Sequence, residues 1–260
     1  LNLFKMVFAF VLFVPTLLLL DGAVLPDYSL KELATVLISG FLGIAVADTW
    51  YLRALHLMGA SRTGIVASLL SPFVIIMSVF FLGESLIGWQ VFGFALVMAG
   101  ILLVTWRRAR TEVEPEQVTK GVLFALASVF LMAIGVVMVK GILETRPFIW
   151  TVELRLLGGL IGMTLYIVAK KRWRVVVAAF SQPLPWTPIL AGSFLGGYLS
   201  MMMWLAGYRL IPASQASILN ESANAWIVLL AWIFLGESLG IRKVAGLLLT
   251  MVGVAVMLLV

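Results

Sequence analysis

The sequence predicts an all-α fold: a polytopic membrane helical bundle made of two inverted repeats, with nine helices present and ten expected in the intact protein. Three observations lead there: a large apolar excess, nine stretches long enough to span a bilayer, and a duplicated segment at a fixed offset. Hydrophobic residues make up 63% of the 260, charged residues only 12%, and mean hydropathy is +1.13. Soluble domains carry about 25% charged and 45–50% apolar residues. No soluble fold of this size hides so much apolar surface.

A spanning helix needs about 20 mostly apolar residues. Such stretches fall at about 3–20, 33–52, 63–82, 88–106, 121–139, 148–169, 188–208, 213–234 and 243–260. The first lacks the basic leader and small-residue cleavage site of a signal peptide. Asp21-Gly22 and Pro26-Asp27 end it, and Gly59-Ala60-Ser61 ends the second. Gly83-Glu84-Ser85 separates the third from the fourth. A polar linker, residues 108–120, then divides the chain. Beyond it, Arg146-Pro147, Pro183 to Pro188, and Pro212 mark the breaks. Barrel strands would alternate apolar and polar residues over about 10 positions, and these runs do not.

Phe81-Leu82-Gly83-Glu84-Ser85-Leu86 recurs 153 positions later as Phe234-Leu235-Gly236-Glu237-Ser238-Leu239. The same ungapped offset pairs Phe41-Leu42-Gly43 with Phe194-Leu195-Gly196, Ala60-Ser61 with Ala213-Ser214, Gly93 with Gly246, and Gly100 with Gly253. Near the front the offset slips to 150 and pairs Lys5 with Arg155. The chain therefore divides into a first repeat, residues 1–107, and a second, residues 121–260. The second has five helices and the first four, so a helix preceding Leu1 is expected in the intact protein. An odd number of helices per repeat inverts the second copy in the membrane, as in many secondary transporters. Charge agrees. Alternate loops hold twelve Lys and Arg (Arg53 and Arg62; Arg107, Arg108, Arg110 and Lys120; Lys170, Lys171, Arg172 and Arg174; Arg242 and Lys243), against four in the other set (Lys31, Lys140, Arg146 and Arg209). The basic set is expected in the cytoplasm, which puts Val260 outside.

With these features in place, a family resemblance emerges. Ala47-Asp48-Thr49-Trp50-Tyr51-Leu52-Arg53-Ala54-Leu55, Gly59-Ala60-Ser61, Ser71-Pro72-Phe73-Val74, the Leu-Gly-Glu-Ser turn and Gly93 to Gly100 resemble the EamA half-unit of the drug/metabolite transporter superfamily. The resemblance implies a ten-helix bundle with a central cavity, carrying small metabolites (amino acids, nucleosides, sugars or drugs), often outward. The missing first helix departs from that pattern. The seven-residue glycine spacing also resembles the dimerising helix of small multidrug-resistance transporters. The expected location is the cell membrane, as a multi-pass monomer or homodimer with lipid, a small-molecule substrate and protons as partners, and no nucleic acid.

Polar groups at membrane depth are costly and normally face a cavity or a partner, so they are the first candidates for a site. Ser214, Ser217, Asn220, Glu221 and Asn224 recur at spacings of three and four and form one helical stripe. Ser61, Gly64, Ser68 and Ser71 hold the equivalent stripe in the other repeat. Two such stripes can face one another across a wet cavity, or simply bond their helices together. Substrate contact is expected at Asn220, Glu221, Asn224, Ser217, Ser68 and Ser71. Arg155 and Lys5 are candidates for holding a carboxylate or phosphate, or for neutralising Glu153, Glu221 or Asp48. Asp48 and Glu153 are candidates for proton coupling. Glu84, in a tight turn, is expected to stabilise the start of the helix that follows it.

Other classes are disfavoured. No Gly-x4-Gly-Lys-Ser/Thr phosphate loop is present, so ATP does not energise the protein. No cysteine and a single histidine, His56, leave little for metal or nucleophilic chemistry. No cofactor and no enzymatic activity are expected. The alternatives retained are a non-transporting membrane subunit and a lipid flippase component.

Overall fold

A computed structural model describes residues 2–105, 115–180, 184–223, 226, 229–230, 233–234 and 240–258. Among them there is no strand. The helices are α1 (Asn2–Leu20), α2 (Leu30–Met58), α3 (Arg62–Leu82), α4 (Gly88–Thr105), α5 (Pro115–Thr145), α6 (Phe148–Ala169), α7 (Trp173–Phe180), α8 (Trp186–Leu210), α9 (Ala213–Glu221) and α10 (Ile241–Leu258). Six of them (α1, α2, α3, α5, α6 and α8) are long and apolar enough to cross a membrane, and Gly88–Leu103 and Val244–Met257 are shorter apolar helices. Eight of the nine predicted spans thus coincide with helices. The ninth, 213–234, begins as α9 and then runs partly outside the described residues. The short α7 is an element the span count does not contain.

The chain forms two compact units, Leu1–Thr49 with Ile134–Leu210, and Trp50–Ala133 with Ile211–Val260. Each unit takes helices from both sequence repeats.

In the first unit, α6 is the central helix. Along one side, the glycines Gly158, Gly159 and Gly162 meet α2. A Cβ on Gly159 would lie 3.0 Å from Ile44 Cβ, and one on Gly162 2.7 Å from Ala45 Cβ. Without side chains these positions let backbones approach closely, which replaces the hydrophobic drive that lipid cannot supply. Gly135 likewise approaches Gly43 of α2, with room of only 3.1 Å from a would-be Cβ to Gly43 Cα. α1 packs on α6 and α8; Phe13 is fully buried, its ring 4.7 Å from that of Tyr198. Both α2 and α8 contain a π-helical stretch, Phe41–Val46 and Phe194–Leu199. These are the segments that the 153-residue offset equates, so the duplication extends to an uncommon backbone form.

In the second unit, α4 and α10 close upon each other at glycines. A Cβ on Gly93 would lie 2.8 Å from the Gly253 carbonyl oxygen, and one on Gly100 2.6 Å from that of Gly246. The glycine spacing serves contact within this chain. Val97, Ile101, Ile218 and Met257 form a buried cluster beside it. On α5, Phe124 packs edge-on to Trp50 and beneath Arg53.

Two helix starts share one device. The N-cap residues of α6 and α9 are Pro147 and Pro212, neither of which offers a side-chain acceptor. The first amides of a helix need acceptors. For α6, Asp21 takes the amides of Ile149 (2.8 Å) and Trp150 (3.3 Å). For α9, Glu84 takes those of Ala213 (2.7 Å) and Ser214 (2.9 Å), and the Ser214 hydroxyl at 2.6 Å. Glu84 therefore caps a helix 129 residues away, not the one that follows it, because Gly83 (φ 68°) turns the chain back there. Burial opposes the charge on Glu84, but these hydrogen bonds outweigh it and hold the carboxyl below its ordinary range.

Candidate functional site

The first unit gathers ionisable side chains from four helices. Arg155, about two turns into α6, is 1% exposed. Its guanidinium lies 5.5 Å from the Trp204 ring centre, and Trp204 in turn packs edge-on to the buried Tyr208. Its Nε and Nη1 have no hydrogen-bond partner among the described residues. Asp48, just after the π-helical stretch of α2, lies 4.0 Å from Lys5 Nζ and 3.5 Å from Asn2 Nδ2 of α1. The charges of Lys5 and Arg155 both act on Asp48. Lys5 thus pairs with Asp48, while the more deeply buried Arg155 keeps the hydrogens of two of its nitrogens unused. Such a cluster has spare capacity for an anionic group.

Glu153 is two residues from Arg155, about 200° around the helix at 3.6 residues per turn. It does not pair with Arg155. Both its carboxyl oxygens are buried without a hydrogen-bond partner among the described residues.

The second unit treats its polar stripe differently. Ser71 Oγ lies 2.7 Å from the Ser217 carbonyl oxygen and 3.1 Å from Glu221 Oε1. Ser71, Ser217 and Glu221 are all buried. The two stripes thus meet in direct contact instead of across water. Ser217 donates to the Ser214 carbonyl (2.8 Å), and Ser68 to that of Gly64 (3.2 Å). Asn220 is half-buried one position before Glu221. Asn224 and Glu237 lie outside the described residues.

Of the residues the sequence singles out, the structure brings Lys5 and Asp48 together, and Ser71, Ser217 and Glu221 together. The sequence reading does not find Asn2 or Tyr208, and it reaches Trp204 only as the end of a run, Met201 to Trp204, that could line a substrate path or pack in the core. A mid-helix Trp and Tyr four apart beside three methionines offered only a weak signal. Among the described residues, no three His, Asp or Glu side chains converge to hold a metal ion.

An all-α bundle with six helices long and apolar enough to cross a membrane, and charge buried among them, is the architecture of a multi-pass membrane protein. The model of the EamA-like transporter family matches residues 1–106 and 119–259, so the chain belongs to that family, within the drug/metabolite transporter superfamily. No curated protein matches it. Twenty-eight solved chains do. One, titled only "Crystal structure of protein", is 19% identical with a TM-score of 0.77, over 99% of this chain and 87% of the other. At that identity the likeness shows the fold.

Proposed function

We propose that the protein is a secondary transporter of the cell membrane that carries a small metabolite bearing a carboxylate or phosphate, in the direction of export, by alternating access between two inverted repeats. The observation that supports this is the Lys5–Asp48–Arg155 cluster, with guanidinium N–H groups unused at membrane depth. A buried cation with unmet donors is stabilised by an arriving anion, and charge-assisted hydrogen bonds are the strong ones.

Asp48 supplies the coupling. While ionised it offsets Lys5 and Arg155 and competes with the substrate. Once protonated it leaves both cations to the anion. Proton and anion then bind together and leave together, and the substrate's own gradient drives efflux. The test is flux of labelled carboxylate and phosphate metabolites from liposomes containing only this protein, at a series of pH values. Flux of at least one should depend on pH, and Asp48→Asn should remove that dependence. PH dependence that persists unchanged in Asp48→Asn sinks the coupling. Absence of flux for every metabolite, with exchange of labelled lipid instead, favours the flippase alternative.

A further inference from the structure

We infer that the first unit holds a second ligand site, separate from the cationic cluster: a cavity between α1 and α6 that takes a lipophilic amine, its ammonium on Glu153. The cavity measures about 320 Å³. Phe10, Val14 and Leu17 of α1 line one side; Trp150, Glu153 and Leu157 of α6 line the other. The spacings explain this. Positions 10, 14 and 17, and positions 150, 153 and 157, each fall on one face of a 3.6-residue helix. The walls are otherwise apolar, and Val14 and Leu157 stay exposed at the mouth.

Within these walls, two polar groups lack partners. Glu153 is 6% exposed, and neither carboxyl oxygen has a hydrogen-bond partner. Trp150 Nε1 is buried and equally without one. Buried polar atoms are nearly always satisfied, and an exception asks for an unseen partner. An apolar pocket with a few convergent polar groups is the common form of a small-molecule site. A carboxylate calls for a cation, and the indole ring beside it favours an organic one. The indole N–H calls for an acceptor. A short amine carrying an aromatic ring and an ether or hydroxyl oxygen meets all three demands. Arg155 does not compete for Glu153, since it lies on another face of α6.

The probe is 2-phenoxyethylamine, with the uncharged 2-phenoxyethanol as its counterpart. Binding is read by equilibrium dialysis against the protein in lipid nanodiscs, with empty nanodiscs subtracted. The amine should bind saturably, at least tenfold more tightly than the alcohol. Glu153→Gln should weaken the amine at least tenfold and leave the alcohol unchanged. Leu157→Trp, which fills the mouth and keeps the carboxylate, should abolish amine binding. Equal binding of amine and alcohol to the unaltered protein overturns the proposal, as does undiminished amine binding in either variant. If Glu153→Gln does not fold, the amine–alcohol pair and Leu157→Trp decide. Binding is measured without flux, so failure of the transport reading leaves this result standing.

Discussion

The two units place polar side chains at membrane depth and dispose of them in opposite ways. In the second, Ser71, Ser217 and Glu221 satisfy one another across two helices. In the first, Arg155 and Glu153 are as deeply buried yet keep donors and acceptors unused. Leaving such groups unmet costs about 1–3 kcal/mol each, more for charges. The contrast teaches that polar content alone does not mark a binding region. Unspent hydrogen-bonding capacity does, and among the described residues it is concentrated in the first unit, with Arg62 Nη1 the instance in the second.

Four substitutions would break or sharpen that contrast. Arg155→Met should have the largest effect. It removes the unused donors, and losing a charge-assisted hydrogen bond of about 1.5–3 kcal/mol should lower metabolite flux in liposomes roughly ten- to hundredfold while the protein stays folded. Gly100→Val should act on stability instead, since the added carbon meets the Gly246 carbonyl. Overpacking of this kind costs about 1–3 kcal/mol, measurable as a lowered unfolding midpoint in detergent.

Glu84→Ala should cost about 1 kcal/mol, the usual loss for a helix cap, with little change in flux per folded molecule. Its pH signature has a definite sign. The carboxyl is held below its ordinary range when folded, so its contribution is present above the ordinary carboxylate pKa and fades as pH falls through the lowered one. The thermal midpoint of the unaltered protein should therefore fall faster on acidification than that of Glu84→Ala. Ser71→Ala should be mildest, about 0.6 kcal/mol for a bond between membrane helices, with flux nearly unchanged. A large flux defect in Ser71→Ala would move the binding region into the second unit.

Much of the fold was readable because lipid imposes length and polarity on a helix. Apolar runs therefore placed α1 to α6 and α8 closely. The 153-residue offset exposed the duplication because Phe-Leu-Gly-Glu-Ser-Leu is too specific to arise from composition. The charged candidates were legible because charge at membrane depth is rare. Their partners were not. Nothing in the local sequence shows that Trp204 lies beneath Arg155, or that Glu84 reaches back to Ala213, since both depend on tertiary packing. The division into units was also hidden, because α2 and α5 each contribute to both. A helical stripe reports which side chains share a face, not whether that face meets water or another helix. Ser71 and Glu221 illustrate that gap.

The widened turn at Phe41–Val46 holds one residue more than an ordinary helical turn. One residue corresponds to about 100° of rotation in an α-helix. Deleting a single residue there would restore ordinary winding and leave Asp48 facing Lys5, whereas a residue deleted from the regular winding just before Asp48 would swing it about a quarter-circle away. The twin at Phe194–Leu199 relates to Trp204 and Tyr208 in the same way. Both copies thus carry, at matching positions, a turn that can take up or release one residue while the side chains beyond it keep their bearing.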